Sequence, residues 1–123
     1  MKLSVYTLSG MVSDKLKNDF LKFALIYSDC INGDNDSKVI NKTTKSIQKI
    51  YIVAKNEGLQ DFFLSFTNHE DECVRYLSAT YLIKTNPDLS KSILVDLMKS
   101  NSIVGLNAKT TLDMWQKGML SLL

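Results

Sequence analysis

Few side chains in this sequence are suited to catalysis, and the single histidine is the first to consider. A catalytic triad built on His69 would also need a serine or cysteine nucleophile and an acid that orients the imidazole. Nothing in the sequence singles out such a nucleophile. His69 stands between Asn68 and Glu70, in a stretch with the composition of a turn, so we predict a capping or solvent-facing role for it.

Metal and cofactor chemistry is also unsupported by the residue spacing. Cys30 and Cys73 lack the C-x-x-C spacing of a zinc site and further cysteines for a disulfide framework, so we expect reduced thiols. Asp29, Asp34 and Asp36 crowd one stretch, but they fit no register of an EF-hand calcium loop. The glycines are isolated and form no phosphate-binding loop. We therefore predict no catalytic residue, no metal and no cofactor, and a protein that is not an enzyme.

The segments that carry these residues are predicted to be helical, because apolar residues recur every three or four positions in each of them. We expect an all-α single domain over residues 1–123 with five to six helices. The expected helices cover 13–31 with Ser13 as N-cap, 36–56, 59–66, a segment ending near 85, 87–98 and 103–117. Gly58 and Gly118 should each follow a helix end. Residues 1–12 stay open, since Val5, Tyr6 and Leu8 fit either a short strand or a first helical turn.

Composition places the chain among ordinary globular domains. Its 123 residues are 45% hydrophobic and 23% charged, which suits one domain with a real core. The N-terminal residues lack the apolar region and cleavage site of a secretory signal. No stretch reaches the roughly 18 to 20 apolar residues that span a bilayer. We therefore expect a cytoplasmic protein without a membrane anchor.

Charge is distributed unevenly along the middle of the chain. Residues 37–55 contain five lysines and no acid, whereas residues 56–74 contain five acids before the first cation. Four of the lysines fall opposite the apolar face of their predicted helix and form what we call the lysine ridge: Lys38, Lys42, Lys45 and Lys49. The acidic set comprises Glu57, Asp61, Glu70, Asp71 and Glu72. Either group fits a plain solvated surface or a contact surface for a partner of opposite charge.

The C-terminal half contains an internal repeat. Val74, Ser78 and Leu82 recur in the same register as Val104, Ala108 and Leu112. A pair of short helices that repeats in this way is typical of a helical solenoid of the HEAT type. We therefore expect the helices to stack as antiparallel hairpins. Trp115, by its periodic position, is predicted to belong to the core.

Two segments carry a resemblance to known repeat proteins. The run from Asp71 to Leu82 resembles the second helix of a HEAT repeat, which implies a structural role for Arg75 in tying adjacent turns. The second repeat departs from this pattern, with Gly105 in place of the arginine. The run from Val104 to Lys109, with Leu112, Trp115 and Gly118, resembles the tail of a small bacterial family of uncharacterised HEAT-like helical-repeat proteins. That similarity extends from about Ser13 to the end and brings no catalytic residues with it.

The functional expectation combines this similarity with the size and the segregated charge. Stacked helix pairs offer a rigid surface whose exposed residues can vary, so small repeat proteins generally act by binding. We expect a protein-binding module, most concretely an immunity protein for a toxin encoded by a neighbouring gene, with the acidic set receiving a basic partner such as a nuclease. The lysine ridge is the second candidate surface. The alternative is a nucleic-acid-binding or scaffold protein that uses this ridge, although a net charge of +2 and a single arginine argue against nucleic acid.

Overall fold

The computed structural model describes residues 5–33 and 36–122, and helices account for most of them. Five are α-helices and one is a 3-10 helix, and no strand occurs in the described ranges. The bounds are α1 Val5–Asn32, α2 Ser37–Asn56, the 3-10 helix Gln60–Phe66, α3 Glu72–Tyr81, α4 Pro87–Met98 and α5 Ile103–Gln116. The prediction of an all-α fold in a single compact domain is confirmed.

The start of α1 differs from the prediction. The helix begins at Val5 rather than after Ser13, which is half-buried within it. A serine caps a helix only where the preceding backbone leaves the helical conformation, and here the backbone is already helical for two turns. Gly10 weakens this stretch without ending it, since one glycine costs only about 1 kcal/mol relative to alanine. Residues 5–12 are thus helical, and residues 1–4 lie outside the described part.

Polar side chains cap α2 and α5, and both helices begin close to where the sequence predicts. Asp36 precedes α2, and its Oδ1 accepts hydrogen bonds from the backbone N–H groups of Lys38 at 2.9 Å and Val39 at 3.5 Å. Ser102 precedes α5 and accepts from the N–H of Gly105 at 3.0 Å. Each cap satisfies N–H groups that have no partner inside the first helical turn.

Glycine ends two of the helices, as predicted. Gly58 and Gly118 have φ angles of 67° and 69°, a left-handed conformation that other residues rarely adopt. At Gly58 the chain turns back so that the N–H of Leu59 donates to the carbonyl of Ala54 at 2.7 Å. This turn leads directly into the 3-10 helix.

The 3-10 helix places its aromatic side chains in the first half of the core. Phe63 and Phe66 each lie 5.1 Å from the ring of Phe20 in α1, measured between ring centroids. The sequence predicts a helix here, and the structure tightens it into a 3-10 helix that keeps three rings buried within seven residues. The next helix, α3, ends at Tyr81 and continues as turns to Thr85, earlier than predicted.

Two clusters of buried residues form the core. The first lies mainly among α1, α2, the 3-10 helix and α3, and the second mainly among α3, α4 and α5. Both clusters are contacted by Tyr27, Tyr76 and Leu120. The predicted repeat positions are all buried: Val74, Ser78, Leu82, Val104, Ala108 and Leu112. Trp115 is half-buried and packs against the second cluster.

Most α-helices pack against a neighbour in sequence, and two contacts join α-helices further apart in the chain. α1 packs along α2, α3 along α4, and α4 along α5, while α3 also contacts α5. This arrangement is compatible with HEAT-like hairpins. α1 also packs against α3, which joins the two halves. Within the described residues, no helix combines the length and the apolar composition needed to cross a bilayer.

Candidate partner-binding surfaces

His69 shapes the turn that leads into α3. Its Nδ1 accepts a hydrogen bond from the backbone N–H of Asp71 at 3.0 Å. Its carbonyl oxygen accepts one at 2.6 Å from the guanidinium of Arg75, which also donates to the carbonyl of Glu70 at 3.0 Å. The imidazole therefore has a capping role, as predicted, and Arg75 holds the same turn against α3.

Cys73 has the opposite properties to a catalytic thiol. It is buried, and burial raises the pKa of its thiol to about 11, with a further increase from Asp71 and Glu72. A hydrogen bond with Ser28 acts in the lowering direction but is outweighed. The thiol is therefore protonated at neutral pH, whereas nucleophilic cysteines need a lowered pKa. Cys30 donates from its Sγ to the carbonyl of Asp36 at 3.4 Å, and both cysteines are free.

Tyrosine hydroxyls tie α5 to the helices beneath it. Asn107 donates from Nδ2 to the hydroxyl oxygen of Tyr27 at 3.3 Å, and the hydroxyls of Tyr76 and Thr111 lie 2.9 Å apart. Burial raises the pKa of Tyr27 to about 12 and also raises the pKa of Tyr76. These hydroxyls stay protonated at neutral pH and connect α1 and α3 to α5.

Two members of the acidic set take part in bonds that hold the fold. Asp71 is the N-cap of α3: its Oδ1 accepts from the N–H groups of Cys73 and Val74, and its Oδ2 accepts from the hydroxyl of Ser28 at 2.8 Å. The Oε2 of Glu72 accepts from the hydroxyl of Ser102 at 3.3 Å. Both side chains are half-buried. A partner could reach them only in competition with these bonds.

The other three members, which we call the exposed acids, are available at the surface. Glu57 follows α2, Asp61 lies in the first turn of the 3-10 helix, and Glu70 precedes α3. None of the three forms an ion pair with another described residue. Of the sequence-predicted acidic set, these three side chains are therefore the ones exposed without an ion pair to a described residue.

The lysine ridge has the position that the helical spacing predicts. All four lysines are exposed, and they lie on the side of α2 opposite Ile47, Tyr51 and Ala54, which are buried in the first cluster. None of the four forms an ion pair with a described residue. The ridge is therefore fully available to solvent or to a partner.

Two ridge lysines also border an open groove between α1 and α2. Lys49 lines one cavity together with Lys15, and Lys42 lines the next together with Lys22. We call this feature the basic groove, and the apolar side chains on its lining include Val12, Phe23, Ile26, Val39, Ile50 and Val53. Sequence reasoning missed Lys15 and Lys22 because they belong to a different helix. Their spacing of seven residues, matching that of Lys42 and Lys49, was the available signal.

Two further concave regions lie near α4. The larger, about 600 Å³, is lined by Arg75 and by alternating charges of α4, Asp88, Lys91, Asp96 and Lys99. The second lies between α4 and α5 and includes Val95, Met98 and Leu106, with Lys109 and Asp113 at its edge. We call it the α4–α5 patch; its most exposed member is Leu106, at 65%. Neither region carries a dominant charge.

The described residues contain no group of three or more histidine, cysteine or acidic side chains placed to hold a metal ion. The fold and its surfaces thus define a small all-helical domain with segregated charge. No family model matches the chain, and no curated protein or solved structure matches it either.

Proposed function

We propose that this protein is a non-enzymatic protein-binding module. The observation that carries the proposal is that the polar groups suited to chemistry are held in internal bonds, whereas most surface charges are not. Groups suited to chemistry, such as His69, Cys73 and Asp71, are engaged in turns, caps or the core. Surface charges are left free: within the described ranges, only two ion pairs form, Lys15 with Asp19 and Lys117 with Asp113. Free charges of one sign on a rigid surface favour recognition of an oppositely charged protein.

The concrete form of this proposal is an immunity protein that binds and neutralises a toxin encoded by a neighbouring gene. Its support is the small size, the segregated charge and the resemblance to a bacterial family of HEAT-like proteins. The exposed acids Glu57, Asp61 and Glu70 are the surface that a basic toxin, such as a nuclease, would contact first.

The test is a pull-down with the tagged protein against the C-terminal fragment of the protein encoded immediately upstream, followed by calorimetry. We expect one-to-one binding with a Kd in the nanomolar range, on the order of −12 kcal/mol. Reversing Glu57, Asp61 and Glu70 to lysine should weaken binding at least about tenfold, because three favourable contacts become repulsive.

The matched control reverses two exposed acids of α4, Asp88 and Asp96, and should leave affinity unchanged. Failure to retain this fragment would contradict the immunity role. If the variant with reversed exposed acids binds as tightly as the parent protein, the exposed acids are rejected as the contact surface and the protein-binding function stands. Asp71 and Glu72 are kept out of the variant, since replacing them would disturb the N-terminus of α3 and its bond to Ser102.

A nucleic-acid-binding or scaffold role is the alternative, and the observation in its favour is the exposed lysine ridge with no ion pairs. Binding to duplex RNA or DNA would then fall steeply with salt, since phosphate contacts release counterions. Absence of binding to a duplex at low salt would rule this alternative out.

A further inference from the structure

We propose that the basic groove between α1 and α2 binds an acidic amphipathic helix of a partner protein. The proposal rests on the protein-binding function above and deepens it by naming a site and the chemistry of the segment bound there.

The dimensions of the basic groove suit a helix. Three cavities of about 300 Å³ each follow the seam between the two helices, from Val12 and Val53 at one end to Cys30 and Asp36 at the other. The stretch of α1 from Val12 to Cys30 extends for roughly 27 Å at 1.5 Å per residue. A partner helix of about 18 residues would fill this length.

The floor of the groove is apolar and open to solvent. Val12, Val39 and Val53 keep 39%, 40% and 42% of their surface exposed, and Ile26 is half-buried between the cavities that it shares with Val39. These side chains lie on both sides of one seam, so an apolar ridge of leucine-like residues could pack between them. This geometry is that of helix-in-groove recognition, with anchors spaced at three, four and seven residues.

The rims of the groove specify the charge of the partner. Lys15 faces the same cavity as Lys49, and Lys22 the same cavity as Lys42, so two pairs of lysines flank the floor two helical turns apart. Asp19 pairs with Lys15 at 2.7 Å and offsets its charge. Lys22, Lys42 and Lys49 form no ion pair with a described residue and carry the free positive charge of the rims.

The remaining acids of the groove lie at its loop end. Asp29 and Asp36 line the last cavity, and Asp36 is engaged as the N-cap of α2. The acidic residues of the partner therefore belong beside the three unpaired rim lysines, Lys22 on α1 and Lys42 and Lys49 on α2, on both flanks of its apolar stripe.

The same features distinguish an acidic helix from other occupants. Phosphates of a nucleic acid would find the lysines, but the described lining of the groove has a single aromatic side chain for base stacking, Phe23, and the Lys22 ammonium already lies 5.6 Å from the centre of its ring. An anionic membrane favours apolar side chains that project beyond the basic ones, whereas here they line concave cavities between two helices. The α4–α5 patch also exposes apolar side chains, yet its edge charges, Lys109 and Asp113, are of opposite sign and select no partner.

The experiment uses the full chain, labelled with 15N, and a synthetic 18-residue helical peptide with leucine along one face and glutamate on both flanks. We expect saturable chemical-shift changes confined to α1 and α2. A second peptide with lysine in place of every glutamate should not bind. In the double variant Lys22→Glu, Lys42→Glu, the affinity for the glutamate peptide should fall at least about tenfold, and the lysine peptide should now bind.

Control variants separate the groove from general surface effects. Val39→Asp and Val53→Asp should each weaken binding of the glutamate peptide at least about threefold through the lost apolar contact, whereas Leu106→Asp and the pair Lys91→Glu, Lys109→Glu should not. Circular dichroism on every variant confirms that the helices are intact.

Several results would overturn the proposal: no binding, equal binding of both peptides, or shifts centred on α4 and α5. The proposal would also be overturned if the protein bound phosphatidylserine vesicles or a duplex more tightly than the glutamate peptide, and if the Lys22→Glu, Lys42→Glu variant lost that binding. The outcome separates from that of the proposed function. If a natural partner binds the groove variants as tightly as the parent protein, the groove proposal is wrong and the protein-binding function stands. If the peptide binds in the groove but no natural protein partner is found, the immunity role alone is wrong.

Discussion

At the scale of single residues, Ser90 carries a buried hydroxyl that lacks a hydrogen-bond partner in the described part of the chain. Its side chain is fully buried in α4, and its hydroxyl has no hydrogen-bond partner among the described residues. An unsatisfied buried hydroxyl costs about 1–3 kcal/mol. We predict that Ser90→Ala raises the free energy of unfolding by about 1 kcal/mol, measured by urea denaturation, with helix propensity acting in the same direction.

Ser78 provides the matched control for this prediction. It is equally buried within α3, but its hydroxyl donates to the carbonyl of Arg75 at 3.0 Å. Ser78→Ala loses this bond and should be neutral or destabilising by up to about 1 kcal/mol. Equal losses of stability in Ser90→Ala and Ser78→Ala would show that the Ser90 hydroxyl is satisfied in solution, for instance by a bound water.

At the scale of elements, Gly105 explains why the second repeat departs from the first. A Cβ atom at this position would lie 2.2 Å from the carbonyl oxygen of Ser100 and 3.0 Å from that of Leu97. The equivalent residue of the first repeat, Arg75, instead reaches with its side chain to carbonyls five and six residues upstream. The preceding turn has moved against the helix in the second repeat, so no side chain fits.

This close approach predicts that Gly105→Ala is destabilising even though alanine favours helices. Overpacking against the backbone lowers the free energy of unfolding by about 1–3 kcal/mol. The helix propensity of alanine acts in the opposite direction and returns roughly 1 kcal/mol. Chemical denaturation measures the loss. Gly118→Ala is the control for backbone strain alone, because its φ is 69° and nothing lies within 4 Å of the added Cβ, so its cost should be about 1 kcal/mol. A Gly105→Ala protein as stable as the parent would contradict the packing seen between α4 and α5.

The elements also show where sequence reasoning succeeds and where it stops. Periodicity predicts α2, α4 and α5 closely, and Asp36 and Pro87 add local start signals within the first turns of α2 and α4. The same reasoning predicts that α1 starts at Ser13, because a serine inside a longer helix cannot be told by local sequence from a serine that caps one. The basic groove goes beyond signals within one helix, because its rims come from two helices and exist only once these pack together.

The acidic set illustrates the same limit on the candidate site. The five acids look alike in sequence, yet the structure uses Asp71 and Glu72 internally and leaves the exposed acids free. What decides is the tertiary neighbour: Ser28 comes from α1 and Ser102 from the turn before α5, 43 and 30 residues away. Local sequence carries no information on such partners.

At the scale of the whole molecule, the two core clusters should unfold together. Tyr27 and Tyr76 contact both, as does Leu120, which belongs to the C-terminal segment that folds back onto the core. A surface shared in this way makes partial unfolding of one cluster expose apolar area of the other, which favours a cooperative transition. We predict coincident urea transitions by far-ultraviolet circular dichroism, which reports on all helices, and by fluorescence of the only tryptophan, Trp115, beside the second cluster.

A matched pair of core variants makes this prediction specific. Ile47 lies in the first cluster and Ile83 in the second, and both are buried. Each Ile→Val change should cost about 0.5–1.5 kcal/mol and should shift both probes by the same amount. If Ile47→Val moved the dichroism transition and left the Trp115 transition in place, the halves would be independent units. Coincident shifts would instead mean that a partner bound in the basic groove stabilises the second cluster as well, because ligand binding to a two-state protein raises the stability of the whole native state.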